Sequence, residues 1–374
     1  MLSSLYIHIP FCKKKCKYCD FNSFDNKSDK IEEYMNALYI ELEDEIKKIK
    51  YSNKRENACF YTIYIGGGTP SFIDSEYIEK IINFIRENDM ISQNAEITIE
   101  VNPCTVSRHK INTYKECGIN RISMGLQTTN DDILKTIGRA HSFAEFEESY
   151  KIVRNVGFEN VNVDLMFGLP NQDIDILKES IDYLINLNPE HISCYSLILH
   201  DSIFSDLPTD EEEREMYYYI KNSLKNSGYD HYEISNFAKK GYESKHNLVY
   251  WNQGEYLGIG AGASGYRNNE RYTNEINLDK YIENIRTGKS VKHIQEVQNI
   301  EDKVREYMIL RLRLLEGVDF NKSDKLFNFN VKEKFEREIK KLTQIGLLEE
   351  YLEGKIKLTD RGLDLANVVW REFV

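Results

Sequence analysis

No apolar run in this 374-residue chain approaches the roughly 20 residues needed to cross a bilayer, which argues against a helical membrane protein. The opening MLSSLYIHIPFCKKKC lacks the long apolar stretch of a secretory signal, so a cytoplasmic address is expected. Low-complexity tracts are missing as well. With 41% hydrophobic residues the chain can bury a core and should fold as a globular protein. There is no basic excess: 49 Lys and Arg against 61 Asp and Glu leave a net charge of -12. A chain this acidic offers no concentrated basic face for a phosphate backbone, so nucleic acid is not an expected partner. Cysteine is scarce and odd in number: of seven, three fall at Cys12, Cys16 and Cys19. That is metal-ligand rather than disulfide spacing, and it fits a reducing compartment.

The ordered part of the pattern is a repeated strand and helix. Leu5 to Ile9 reads as a strand, and Ile31, Tyr34, Met35, Leu38, Leu42 and Ile46 then recur at helical spacing. TIYIG (62 to 66), EITIEV (96 to 101), RISMGLQ (121 to 127), VNVDLMFGL (161 to 169) and HISCYSLIL (191 to 199) each precede a helical run. Six such units predict an α/β fold with a parallel sheet, a partial (β/α)6 barrel of TIM type with its chemistry at the C-terminal strand ends. The alternation lapses after about residue 228. There YDHYEISNF reads as an added strand and GIGAGASGY (258 to 266) as a tight turn region. From about Asn299, EDKVREYMILRLRLLEG and FEREIKKLTQIGLLEE read as helices and KIKLTDRGLDLANVV as a short strand and a helix. This order predicts a small winged-helix-like domain. The expected division is 1–228 for the barrel, 229–298 for a barrel extension and 299–374 for the C-terminal domain.

The three cysteines follow the first predicted strand, where such a barrel places active-site groups. Three thiolates suit a 4Fe-4S cluster with one iron left for an outside ligand; the next cysteine, Cys59, is 40 residues on. A zinc site completed at long range is the alternative that spacing alone leaves open. Lys13, Lys14, Lys15 and Lys17 surround the loop, either to attract an anionic ligand or acidic redox partner or simply as a solvated basic surface. Cys59, Cys104, Cys117 and Cys194 lie on or beside predicted elements, where buried inert thiols are common. GGGTPS (66 to 71), after the second strand, gives backbone groups close access to a ligand.

IHIPFCKKKCKYCDF resembles the motif of the radical S-adenosylmethionine (SAM) superfamily, including the aromatic Tyr18 between the last two cysteines. In that superfamily SAM chelates the open iron and is cleaved to a 5′-deoxyadenosyl radical. The blocks IYIGGGTPS, IEVNP, RISMGLQ, IGRAH, NVDLMFGLP, EHISCYSL, YEISNFAKKGYESKHNLVYW, YLGIGAGA and LTDRGLDLANVV extend the resemblance over nearly the whole chain. They are similar to anaerobic coproporphyrinogen oxidase and its haem-chaperone relatives. The resemblance implies SAM contacts from Tyr6, Gly67, Gly68, Thr69, Glu100, Gln127, Arg139 and Asp164. The chemistry suits that reading: carboxylates accept from the ribose or amine, and Arg139 can fork onto a carboxylate.

The oxidase branch carries a fourth cysteine two residues after the third, where this chain has Phe21. CDFNSF and HNLVYW (His246 to Trp251) instead resemble the haem-chaperone branch, which implies haem at His246, with Tyr250 and Trp251 as flat apolar faces. The expected function is therefore a haem chaperone that carries a SAM-bound 4Fe-4S cluster, takes electrons from a donor, hands haem to an acceptor protein and can form a homodimer. The alternative is an oxygen-independent coproporphyrinogen III oxidase that uses the deoxyadenosyl radical for oxidative decarboxylation. A third class, an electron-transfer or adaptor protein with a structural cluster, predicts a cluster spectrum indifferent to SAM.

Overall fold

The computed structural model describes residues 4–52, 59–198 and 203–374. Six strands, β1 (Ser4–Ile9), β2 (Phe60–Gly67), β3 (Ile91–Val101), β4 (Arg121–Gln127), β5 (Val161–Phe167) and β6 (His191–Ser196), lie side by side in chain order, all parallel. Parallel neighbours need crossovers, and helices supply them: α1 (Ile31–Ser52), α2 (Ser75–Glu87), α3 (Arg108–Glu116), α4 (Asp131–Thr136), α5 (Phe143–Asn155), α6 (Ile174–Leu187) and α7 (Asp210–Asn226). The apolar stripe read on α1 is the face that packs. Tyr34, Met35, Leu38, Leu42 and Ile46 are buried, together with Ile49. Capping boxes at Ser142 with Glu145 and at Thr209 with Glu212 set where α5 and α7 begin. Leu199, the last residue of the sixth expected strand block, falls outside the described residues.

The segment after α7 is divided between two places. β7 (Asp230–Glu233) and β8 (Asn236–Ala238) extend the sheet beyond β6. After α8 (Lys245–Trp251), β9 (Tyr256–Ile259) pairs parallel with β1, and β10 (Ser264–Arg267), β11 (Glu270–Asn274) and β12 (Lys292–Val297) continue outward. The Gly-rich segment expected as a turn region is thus two strands joined at Gly260 to Ala263. Its bend is held by Glu41 of α1, whose carboxylate accepts from the Gly260 amide at 2.8 Å and the Tyr281 hydroxyl at 2.6 Å. β12 is polar and largely exposed, the composition that protects a sheet edge from further pairing.

Beyond α9 (Leu278–Arg286) and α10 (Ile300–Arg311), a three-stranded antiparallel sheet of β13 (Val318–Asp319), β15 (Lys355–Leu358) and β14 (Leu348–Leu352) packs with short helices around a second apolar core. The second expected helix stops at Gln344, because Gly346 turns at φ +71 and Leu348 begins a hairpin. This domain is stitched to the rest of the chain. The Ile234 amide donates to the Arg313 carbonyl at 3.2 Å and Arg311 donates to the Asn252 side chain at 2.6 Å. The Arg313 guanidinium lies 4.4 Å from the Trp251 ring and 5.2 Å from the Trp370 ring, a stack between the chain's two tryptophans.

Candidate functional site

The chain leaves β1 at Pro10 and runs straight into the cysteine loop, which closes on itself through backbone bonds: Phe24 to the Pro10 carbonyl at 2.7 Å and Cys12 to the Phe24 carbonyl at 2.9 Å. Lys15 ties the loop from within, donating to the Phe21 and Ser23 carbonyls at 3.2 Å. Asn22 anchors it from outside through the Ala261 and Ile276 carbonyls. Beside it, the turn after β2 is bound tightly, Gly68 to the Ile9 carbonyl at 2.9 Å and Thr69 to the Phe11 carbonyl at 2.8 Å. A Cβ on Gly68 would lie 3.0 Å from the Cys12 sulfur and 2.9 Å from the Phe11 carbonyl oxygen, so no larger residue fits without displacing the ligand loop. A Cβ on Gly67, which turns at φ +117, would likewise fall 2.6 Å from the His8 ring.

Each of the three sulfurs has its own donor. Thr69 Oγ1 is 3.6 Å from Cys12, Arg139 Nη1 3.7 Å from Cys16 and the Ser23 hydroxyl 3.8 Å from Cys19. Burial pushes the Cys12 thiol up, and the Thr69 and Ser23 hydroxyls pull it back. Donors of this kind favour thiolate and tune a cluster. Among the described residues, no three His, Cys, Asp or Glu side chains converge as one metal ion requires. A 4Fe-4S cluster takes each thiolate on a separate iron, and three sulfurs with a donor each suit such a centre.

All three cysteines border a cavity of about 320 Å³ within the strand ends, near the lower end of the ~300–1,000 Å³ common for small-ligand sites. Gly67, Gly68, Thr69, Glu100, Gln127, Arg139 and Asp164 line it. Glu100, at the end of β3, accepts from the Tyr64 hydroxyl at 2.8 Å and the Gly67 amide at 3.1 Å. Burial lifts its carboxyl to about 7; the two donors oppose the rise and the Asp164 charge adds to it. Burial also raises Asp164, which Asn162 holds at 2.7 Å. Gln127 ends β4 in left-handed backbone at φ +71, where the ladder to β5 slips. Arg139 reaches the Gly125 carbonyl at 3.1 Å and the Tyr18 hydroxyl at 3.5 Å, while its buried Nε has no partner among the described residues. A buried donor left over beside three thiols suits an anionic ligand there.

Two expected residues stand apart from this cavity. Tyr6 stacks on Tyr64, with ring centroids 6.3 Å apart, and lines a second cavity of about 840 Å³ that Tyr256 of β9 also borders. His246 is 1% exposed. Its Nδ1 lies 2.9 Å from both the Ser4 and Thr62 hydroxyls, its Nε2 2.7 Å from the Tyr250 hydroxyl, and its ring stacks on Tyr64. Burial, with the Arg121 charge, presses its pKa down to about 3, so the imidazole is neutral. Of the HNLVYW hexapeptide, Asn247 borders the first cavity, whereas Tyr250 and Trp251 border the second. Phe21, 64% exposed, borders both.

Sequence reasoning passed over Tyr64, Arg121, Ser123, Asn162, Ser193 and Tyr195, which also line the first cavity. The signal was present. In strands covered on both faces, polar residues at every second position, Arg121 and Ser123, Asn162 and Asp164, Ser193 and Tyr195, mark an inward wall.

Known proteins resemble this chain over its whole length. The model of the radical SAM superfamily matches residues 6–184, and that of the HemN C-terminal domain matches 299–365. The chain is 38% identical to the heme chaperone HemW of Bacillus subtilis (strain 168), covering 100% of this chain and 99% of that protein. It is 36% identical to the HemW of Lactococcus lactis subsp. lactis (strain IL1403), over 100% of this chain and 97% of that one. Among solved structures, the coproporphyrinogen III oxidase HemN of Escherichia coli superposes with a TM-score of 0.86 over 100% of this chain and 90% of that one. At 23% identity that likeness speaks for the fold alone.

Proposed function

Because the chain belongs to the HemW family of haem chaperones, within the radical SAM superfamily, we propose that it binds haem, carries a SAM-ligated 4Fe-4S cluster and passes haem to an acceptor protein. The observation that carries this reading is the full-length similarity to haem chaperones, and Phe21 at the oxidase branch's fourth cysteine position supports it. Cys12, Cys16 and Cys19 would hold the cluster through their thiolates, with one iron open to SAM. When bound, the cluster and SAM supply one-electron chemistry at the sulfonium. The chain's residues hold and shield that centre. Thr69, Arg139 and Ser23 donate to the thiolates, and Gly67 and Gly68 bring backbone close. Glu100 and Asp164 accept from the ribose hydroxyls or the amine, and Gln127 both donates and accepts there. Tyr6 braces Tyr64 from the neighbouring strand.

The segments 1–228, 229–298 and 299–374 serve as barrel, barrel extension and winged-helix-like C-terminal domain. An electron donor docks on the basic loop of Lys13, Lys14 and Lys17. The protein works in the cytoplasm without nucleic acid, and a homodimer is the assembly we expect. Among the described residues no helix is long and apolar enough to cross a membrane.

The deciding experiment gives the anaerobically reconstituted protein ferric haem, then an apo-haemoprotein, and in parallel SAM, reductant and coproporphyrinogen III. Haem uptake and transfer without porphyrin product is the expected result. Sustained protoporphyrinogen formation without haem uptake overturns the chaperone reading in favour of the oxidase.

A further inference from the structure

The lower half of the first cavity holds a charge that no role given above employs. Arg121 opens β4 and shares its inward face with Ser123 and Gly125, four residues short of the Gly125 carbonyl that Arg139 holds. At about 3.3 Å per residue it stands roughly 13 Å below that shelf. Arg121 is 2% exposed, yet its Nε has no partner, and among the described residues its guanidinium makes no ion pair. Thr98, its register partner on β3, is wholly buried and has an orphaned hydroxyl as well. Burial first, and the Arg121 charge second, press the imidazoles of His191 and His246 down, so both are neutral and Arg121 supplies the cation on this floor.

We propose that Arg121 anchors an acid subsite at the floor of the first cavity, where its guanidinium receives the carboxylate of a short aliphatic monocarboxylic acid lying beneath SAM. The subsite is separate from the haem reading and rests on the proposed function only for SAM in the upper half of the cavity. Elimination supports it, because the other polar groups on the wall are committed. Asn162 donates to Ser123 at 2.8 Å and to Asp164 at 2.7 Å, and its carbonyl oxygen accepts from Ser193 at 3.1 Å and faces His191 Nδ1 at 2.6 Å. The Tyr64 hydroxyl serves Glu100. Arg121 keeps its fork of donors, and such a fork matches the two oxygens of one carboxylate.

A buried polar group left without a partner is costly, so its presence here calls for a partner that comes and goes. Two carboxylates, Glu100 and Asp164, face the same chamber and decide what kind of anion the floor can take. Each has its own donors, the Tyr64 hydroxyl and the Gly67 amide for Glu100, and Asn162 and Ser123 for Asp164. They still repel an incoming anion, which favours the single charge of a carboxylate over the higher charge of a phosphate. Size makes the same choice. The cavity of about 320 Å³ is shared with SAM, which leaves room for a short chain only.

The test is equilibrium dialysis of radiolabelled acetate, propionate and butyrate against the reconstituted full-length protein, with and without SAM, joined to denaturant titration. Wild type should bind at least one of the three acids, and Arg121→Gln should bind it about 10–100-fold more weakly with SAM affinity unchanged. Arg121→Lys, which keeps the charge and loses the fork, should fall between the two. The same acid should raise the denaturant midpoint of wild type and leave that of Arg121→Gln where it is. Without acid, Arg121→Gln should be at least as stable as wild type, since it removes an unpaired buried charge. Failure of wild type to bind any of the three acids, inorganic phosphate bound as tightly, or SAM affinity lost in step with acid affinity overturns the subsite. So does an Arg121→Gln midpoint below that of wild type, which would make Arg121 the structural counter-charge of Glu100 and Asp164. Wild type that binds no SAM sinks the SAM reading instead, and the dialysis without SAM then still decides Arg121.

Discussion

Cys12 and Cys194 are both buried thiols, yet they sit in opposite surroundings. Cys12 borders the cavity with a hydroxyl donor beside its sulfur, whereas Cys194 lies inside β6, where burial strongly disfavours its thiolate. Cys12→Ala should therefore abolish cluster absorbance and iron and sulfide content, while Cys194→Ala should leave them and lower stability by about 1 kcal/mol. Equal loss of iron in both variants would remove the three-ligand assignment. Glu100 allows a sharper test because its carboxyl rests at about 7 against an ordinary 4.5. A raised value means that folding favours the protonated form. That contribution is complete below pH 4.5 and is lost as the pH climbs through 7. Glu100→Gln should thus be about 3 kcal/mol more stable than wild type at pH 8, with the two converging near pH 4 in denaturant titrations without SAM. The same variant should bind SAM more weakly; a stability difference constant across pH would mean that Glu100 does not carry the shift.

The turn after β2 and the cysteine loop act as one element, since each is bonded to the other's backbone. Gly68→Ala drives a methyl toward the Cys12 sulfur and should empty the site of iron while far-ultraviolet circular dichroism stays unchanged. Gly157→Ala is the comparison. Its Cβ meets nothing within 4 Å, so its φ of +94 costs about 1–2 kcal/mol of stability and no iron. These elements were readable beforehand because their signals are local: period-two apolar runs, helical stripes and the spacing of three cysteines. The extra strands were not. β7 to β12 are three to six residues long, and the parallel pairing of β9 with β1 joins positions some 250 residues apart. Such pairing leaves no periodic mark, so Gly258 to Gly262 reads as a turn. His246 was legible as a special residue through its neighbours Tyr250 and Trp251. That its ring would be sealed behind Ser4 and Thr62 depends on β1, which no local pattern relates to α8.

At the scale of the whole molecule, Arg313 joins the C-terminal domain to the sheet. It stacks between Trp251 and Trp370 and approaches the carboxylate of Glu233, which is fully buried, at 3.8 Å. Arg313→Ala leaves that carboxylate without its cation and both indoles without their shared face. A loss of roughly 3 kcal/mol in unfolding free energy is expected, with a red shift in an emission that comes from these two tryptophans alone. Unaltered emission would mean that the two domains are not held together in this way. Phe21 has a different kind of reach, since its ring forms part of the boundary of both chambers. A ligand that shifts this ring in one chamber alters the reception of a ligand in the other. Thermodynamic linkage makes such an influence mutual: by whatever factor a ligand of one chamber changes the hold on a ligand of the other, the second changes the hold on the first by the same factor. Occupancy of one chamber would then be felt in the other through a single aromatic partition.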